Sequence, residues 1–145
     1  MWTPDDVPGL SPDARKVLLR NDGTPSCWSA VTLVVGERTL VILNSSHSPA
    51  RQASDLMHEL AHRIRNHEPE EMSISSEGLM LLKAYDKEQE EEADWLAGAL
   101  LLPRDALVHI KRQGMSNEDV VAQYGVSKRM YTYRTSMTGV NRQFR

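Results

Sequence analysis

The sequence predicts an α+β fold, in which a small N-terminal β-hairpin sheet packs on two long helices and short C-terminal helices follow. Three features predict it: two β-branched runs around a short turn, a helix with an HExxH motif, and a second helix with an acidic, Glu-bearing start. At 145 residues, with 40% hydrophobic and 26% charged residues, the chain has the size and composition of one globular domain. We therefore expect a single domain over residues 1–145.

The first 28 residues are rich in turn-forming residues. Within them, Ser11 as N-cap and Pro12 at the first helical position predict a short helix over residues 12–20. The chain starts with acidic residues and prolines, and no apolar run reaches the ~20 residues that a membrane helix requires. We expect a cytoplasmic protein with no membrane segment, in which the single cysteine, Cys27, forms no internal disulfide.

The hairpin and the HExxH helix come next along the chain. The runs AVTLVV and TLVILN, separated by GER, predict two antiparallel strands. Ser48 followed by Pro49 is a helix-start signal, and the helix is predicted over residues 49–67. Apolar residues recur in it at i, i+4 spacing, which predicts one buried stripe made of Leu56, Leu60 and Ile64.

The second half of the chain is predicted to be helical. A Glu- and Ser-rich linker over residues 67–78 precedes a second long helix over residues 86–102, which Pro103 stops. Gly98 inside this helix predicts the close approach of another helix, for which we expect the HExxH helix. The part over residues 115–139 resembles a helix-turn-helix. Short helices are predicted over residues 104–113, 117–124 and 128–137.

The stretch MHELAH predicts a metal site on the first long helix. His58 and His62 lie one helical turn apart, so both imidazoles can donate a nitrogen to one ion. Glu59 lies beside the first histidine and can act as the general base that takes a proton from an attacking water. Zinc is the expected ion, although two histidines with one carboxylate also bind manganese or iron.

The third ligand is not expected on the same helix. The metzincin pattern would require Gly at position 65 and His at position 68, where this chain has Arg65 and Glu68, and His67 misses by one residue. The acidic start of the second helix offers a carboxylate instead. Glu90 is the preferred third ligand, and Glu91 is the alternative.

Further polar residues are candidates for supporting roles. Asp94 follows Glu90 by one helical turn. It is predicted to hydrogen-bond a ligand histidine without binding the metal itself. Tyr131 and Tyr133 are the preferred donors to the oxyanion that forms during hydrolysis. Other candidates for that role are Tyr85, His109 and Arg63. The histidines outside the motif are expected at the surface or in helix caps: His47, His67 and His109.

HELAH and the later segment ExEADWLAGALLLP, in this order and spacing, make the chain resemble the ImmA/IrrE-type zinc metallopeptidases over about residues 29–139. The resemblance implies that His58, His62 and Glu90 bind zinc, that Glu59 is the general base and that Asp94 supports a ligand. It also implies an intracellular endopeptidase whose protein substrate is a helix-turn-helix transcriptional repressor or its regulator, in a phage, mobile element or stress switch. Trp95 stands where the family commonly has Phe, a conservative departure.

Two other functions are compatible with the sequence. Residues 120–145 contain no Asp or Glu and five Lys or Arg residues, so the helix-turn-helix-like part could bind DNA directly. The overall charge of −3 does not favour a large phosphate-binding surface. The other alternative is a catalytically inactive, zinc-stabilised protein that binds a repressor, in which Glu59 would have no chemical purpose. The sequence does not indicate an oligomeric state.

Overall fold

The computed structural model of the chain describes residues 1–19, 28–35, 38–68, 72–74, 80–82 and 86–144. Cys27 and Tyr85 lie outside the described residues. Strands and helices in the described part confirm the predicted α+β class. The elements in chain order are α1 (Pro12–Leu18), β1 (Ala30–Val35), β2 (Arg38–Leu43), α2 (Pro49–Arg65), β3 (Met72–Ile74), β4 (Met80–Leu82), α3 (Lys87–Leu101), α4 (Arg104–Arg112), α5 (Asn117–Tyr124) and α6 (Lys128–Thr138).

The predicted hairpin is present, and it packs on α2. β1 and β2 pair antiparallel, with Ala30 opposite Leu43. Val41 and Leu43 alternate on one face of β2 and are buried, as expected for a strand with one face against a helix. Trp2 extends the sheet, because its N–H donates to the carbonyl of Val41 and its carbonyl accepts from the N–H of Leu43, at 2.8 and 2.9 Å. The N-terminal segment, predicted only as turn-rich, therefore contributes backbone to the sheet.

Helix α2 begins where predicted and ends two residues early. The hydroxyl of Ser48 accepts a hydrogen bond from the N–H of Arg51, which caps the first turn. At the other end Asn66 adopts the left-handed conformation, with φ of 55°, and this stops the helix at Arg65. His67 consequently does not continue the helix, contrary to the prediction.

Helices α2 and α3 pack through small side chains. The buried residues at this contact are Ala61, Ala93 and Ala97. Because the buried residues at this contact are alanines, the two backbones can approach closely, and the partly buried Met57 and Leu96 pack against the alanines. The prediction that Ile64 belongs to the buried stripe is wrong, since its side chain is 59% exposed. α3 packs on the side of α2 that carries Ala61.

The segment between α2 and α3 differs from the predicted linker. β3 and β4 pair antiparallel in a second, separate two-stranded sheet, with Ser73 opposite Leu81. Strands of three residues are too short for an alternating pattern to show in the sequence. Asp86 then caps α3, because its carboxylate accepts from the N–H groups of Glu88 and Gln89 at 3.0 and 3.3 Å. The hydrogen bonds to Gln89 are the main cause that lowers the pKa of Asp86.

Gly98 marks a close helix contact, but its partner is α6 and not α2. A Cβ atom on residue 98 would lie 2.8 Å from Cδ of Arg134 and 3.3 Å from Cε1 of Tyr133. Arg134 is 3% exposed, and its Nε donates to the carbonyl of Leu102 at 3.1 Å, just beyond the end of α3. One of the five Lys and Arg residues in the segment 120–145 is therefore buried and hydrogen-bonded within the fold.

The C-terminal helices enclose a second core. Ser116 and Asp119 form a capping box at the start of α5, and Gly125 ends that helix with φ of 64°. Lys128 and Arg129 are exposed at the start of α6, and the helix-turn-helix character of α5 and α6 stays a prediction. The core residues are Leu102, Leu107, Ile110, Val120, Val126, Tyr131 and Val140. None of the helices in the described ranges has the length and apolar character needed to span a membrane.

We expect Ser127→Ala to lower the free energy of unfolding by about 1 kcal/mol, because the N–H of Met130 loses the hydroxyl that accepts from it at 3.1 Å. Chemical denaturation of the full chain measures this. Ser136→Ala, at an exposed position within α6, is the matched control and should cost no stability. Equal losses in both variants would contradict the assignment of Ser127 as the cap.

We expect Gly98→Ala to destabilise the fold, although alanine favours a helix over glycine by about 1 kcal/mol. The added methyl group would meet the buried stem of Arg134 at 2.8 Å, and overpacking of this kind costs about 1–3 kcal/mol. In an Arg134→Ala background the same substitution should destabilise less, because the nearest remaining atom is Cε1 of Tyr133 at 3.3 Å. A Gly98→Ala variant more stable than the wild type would show that the Arg134 side chain moves aside at little cost in free energy.

Candidate metal centre

The contact between α2 and α3 brings the predicted ligands together. His58 and His62 project from one face of α2, and Ala61 on the same helix is buried against α3. Glu90 lies in the first turn of α3, three residues before Ala93, which is buried in the same contact. The short side chains at the contact allow the carboxylate of Glu90 to reach both imidazoles.

The donor atoms of these three residues converge on one point. Nε2 of His58 lies 3.0 Å from Nε2 of His62 and 3.1 Å from Oε2 of Glu90, and Nε2 of His62 lies 3.3 Å from Oε1 of Glu90. Ligand atoms at 2.0–2.1 Å from a tetrahedral ion would be about 3.3–3.4 Å apart. Two imidazole nitrogens and a carboxylate oxygen at this spacing fit a divalent metal ion.

Asp94 lies where the sequence predicted a supporting carboxylate. Its Oδ1 is 2.9 Å from Nδ1 of His58. A carboxylate at this distance accepts the Nδ1 proton, which leaves the lone pair of Nε2 directed at the metal position. Glu91, the alternative ligand, is outside the cluster, because its side chain is 68% exposed and pairs with Lys87 at 3.3 Å.

His62 has an environment that favours the neutral imidazole. Burial is the main cause that lowers its pKa, and the neighbouring His58 lowers it further, while Glu90 acts in the opposite direction. Neutral imidazole is the form that coordinates a metal. The site therefore holds His62 in a state suited to a ligand at neutral pH.

The carboxylate of Glu59 is held by the sheet. Thr32, on β1, donates a short hydrogen bond from its hydroxyl to Oε2 of Glu59. Thr32 was not predicted from the sequence, because it lies 27 positions from Glu59 in an ordinary β-branched run and belongs to no motif. The contact depends on how β1 packs against α2, which the sequence does not show.

Two histidines outside the HExxH motif have side chains that are more buried than predicted. His67 was predicted at the surface or in a cap, but its side chain is 6% exposed, its Nδ1 is 2.9 Å from Nδ1 of His62, and its Nε2 is 2.9 Å from Glu92. His47 is 8% exposed and pairs with Asp55 at 3.2 Å. The expected surface position is wrong for both side chains, although each residue flanks an end of α2, as expected for a position near a helix cap.

Among the described residues, the predicted oxyanion donors do not gather at the three ligands. Tyr131 is 5% exposed and packs in the C-terminal core, with Lys111 over its ring. Tyr133 lies beside Gly98, which is two turns, or about 12 Å, along α3 from Glu90. Arg63 is exposed on α2, and His109 lines an open depression between α4 and α5. The role of any of these residues in catalysis stays a prediction.

One of three comparisons with known proteins gives a match. No curated protein and no solved structure gives a significant match to the chain. The family model described as the IrrE N-terminal-like domain matches residues 18–136, more than four fifths of the sequence, and spans β1, α2 and α3 with all three predicted ligands. The chain therefore belongs to the family of IrrE N-terminal-like peptidases.

Proposed function

We propose that the chain is a zinc-dependent endopeptidase that cleaves a protein partner. The observation that carries this proposal is the convergence of His58, His62 and Glu90 on one point, with Glu59 next to the first ligand on the same helix. Asp94 hydrogen-bonds a ligand histidine, whereas the Glu59 carboxylate accepts from Thr32 on β1, so support of the ligands does not account for Glu59. The family membership supports a peptidase, and the donor set supports zinc.

Each residue of the site has a defined part in the proposed hydrolysis. When bound, a zinc ion would act as a Lewis acid that polarises the scissile carbonyl and lowers the pKa of water. His58, His62 and Glu90 would hold that ion. Glu59 would accept a proton from the attacking water and pass it to the departing amine nitrogen. Thr32 would keep the carboxylate of Glu59 in one orientation through its hydroxyl.

The proposed substrate is a transcriptional repressor of the helix-turn-helix class or a protein that regulates it. This part of the proposal is supported by the family resemblance. A repressor is a cytoplasmic protein in bacteria, so the proposed activity would take place in the cytoplasm. Genes of similar peptidases tend to lie beside the gene of their repressor, which makes the product of a neighbouring repressor gene the first substrate to test.

The metal ligands predict the metal content of the purified full chain. We expect about one zinc per chain in the wild type, by elemental analysis, because three ligands are already in place. His58→Ala and Glu90→Ala should each lose most of it, whereas Glu91→Gln should keep it because that side chain faces solvent. A folded wild type without bound metal would refute the peptidase proposal.

Glu59→Gln should abolish cleavage of the neighbouring repressor without loss of zinc. Removal of a general base typically costs about 100- to 10,000-fold in rate. Product analysis by mass spectrometry, beside the metal content of the same sample, separates the two effects. A variant that binds zinc and still cleaves would show that Glu59 is not the base. Binding of the repressor without cleavage by the wild type would favour the inactive, zinc-stabilised binding protein.

Thr32→Val should slow the same cleavage by about tenfold or more, because a hydrogen bond to a charged group contributes about 1.5–3 kcal/mol. Thr32→Ser keeps the hydroxyl and should retain most of the rate. Thr39→Val, at an exposed position on β2, is the matched control. If Thr32→Val and Thr39→Val have equal rates, the hydroxyl does not orient Glu59.

A DNA-binding function remains the second candidate, because Lys128 and Arg129 are exposed at the start of α6. DNA binding and proteolysis predict opposite effects of metal removal. Affinity for duplex DNA would fall steeply with salt but survive removal of zinc by a chelator. Cleavage of a protein would be lost on chelation.

A further inference from the structure

The left-handed end of α2 folds the chain back onto the metal site. Asn66 takes the left-handed conformation, and the N–H of His67 then donates to the carbonyl of His62 at 3.0 Å. This turn places the imidazole of His67 beside that of His62, with ring centroids 4.9 Å apart and an edge-on angle of 75°. The position of His67 is thus fixed by backbone hydrogen bonding as well as by its side chain.

A continuous line of hydrogen-bonding atoms runs outward from His62. Its Nδ1 is 2.9 Å from Nδ1 of His67, and Nε2 of His67 is 2.9 Å from Oε2 of Glu92 on α3. The other oxygen of Glu92 pairs with Arg65 at 2.5 Å. The carboxylate of Glu92 thus accepts from Arg65 on one oxygen and faces His67 with the other, which ends the line.

The proton positions along this line follow from the ligand role of His62. Nε2 of His62 faces Glu90 and His58, so it must present a lone pair to a metal, and the ring proton is on Nδ1. That N–H donates to Nδ1 of His67, which leaves the proton of His67 on Nε2. The Nε2–H then donates to the carboxylate of Glu92. Every donor in the line has one acceptor.

We propose that His67 and Glu92 are positioning residues that hold His62 in the orientation and tautomer required of a metal ligand. Asp94 does this directly for His58, and Glu92 does it for His62 through the intervening imidazole. The inference depends on the proposed metal centre, because it concerns how one of its ligands is supported. Outer partners of ligand histidines typically contribute 10- to 100-fold, as an order of magnitude, to metal affinity.

Zinc affinity of the full chain, measured by competition with a chromophoric chelator, tests this inference. His67→Ala should bind zinc about 10- to 100-fold more weakly than the wild type. Glu92→Gln should weaken binding less, and in the His67→Ala background it should have no further effect, since Glu92 acts through His67. His47→Ala is the matched control, because it also removes a nearly buried histidine paired with a carboxylate on α2.

Glu91→Gln controls for charge, because it removes the same negative charge one residue from Glu92 at an exposed position. Thermal unfolding of the zinc-free variants shows whether the fold itself is weakened. Wild-type affinity in His67→Ala, or equal losses in His67→Ala and His47→Ala, would overturn the inference while leaving the metal centre intact. A wild type that binds no zinc would instead refute the proposed function, and the inference with it.

Discussion

The alanine-lined contact between α2 and α3 is the constraint on which the site depends. Ala61, Ala93 and Ala97 let the two helices approach until Glu90 reaches both histidines. Metal–ligand distances tolerate only about ±0.2 Å, whereas a larger side chain at such a contact shifts the backbone or forces poor rotamers. Small residues here therefore matter more for ligand geometry than for the amount of apolar surface they bury.

The same contact explains the distribution of charge around the site. Two imidazoles and a carboxylate lie within hydrogen-bonding distance of one another, and two further carboxylates, Asp94 and Glu92, stand behind the histidines. An acidic helix start is favoured by the helix dipole, which stabilises carboxylates in the first turn of α3. The acidic run thus stabilises the start of the helix and also supplies hydrogen-bond acceptors to the histidines. Within residues 90–92, Glu91 is the one that faces outward, where it pairs with Lys87.

The sequence was sufficient to predict the parts that follow from local spacing. His58 and His62 are one turn apart whatever surrounds them, and Ser48 and Ser127 cap helices through contacts within four residues. The bounds of the hairpin and of the later helices follow from the same kind of local signal.

What the sequence could not supply was the relation between distant segments. The contact of Thr32 with Glu59 depends on how β1 lies against α2, and the partner of Gly98 depends on how α6 returns to α3. His67 was misplaced for a local reason, since one left-handed residue, Asn66, ended the helix two residues early. Asparagine is tolerated in that conformation, but it does not require it.

The three functional side chains of α2 are each oriented by a different part of the molecule. His58 is held by Asp94 on α3, His62 by His67 beyond the end of α2, and Glu59 by Thr32 on β1. Rotation of α2 about its axis would break the contacts with Asp94 and Thr32, which lie on other elements, whereas His67 is bonded to the end of α2 and would move with it. The helix is therefore fixed in rotation by the site's own hydrogen bonds as well as by Ala61 against α3. Because Arg134 of α6 binds the carbonyl just beyond the end of α3, the C-terminal helices support the same arrangement from outside.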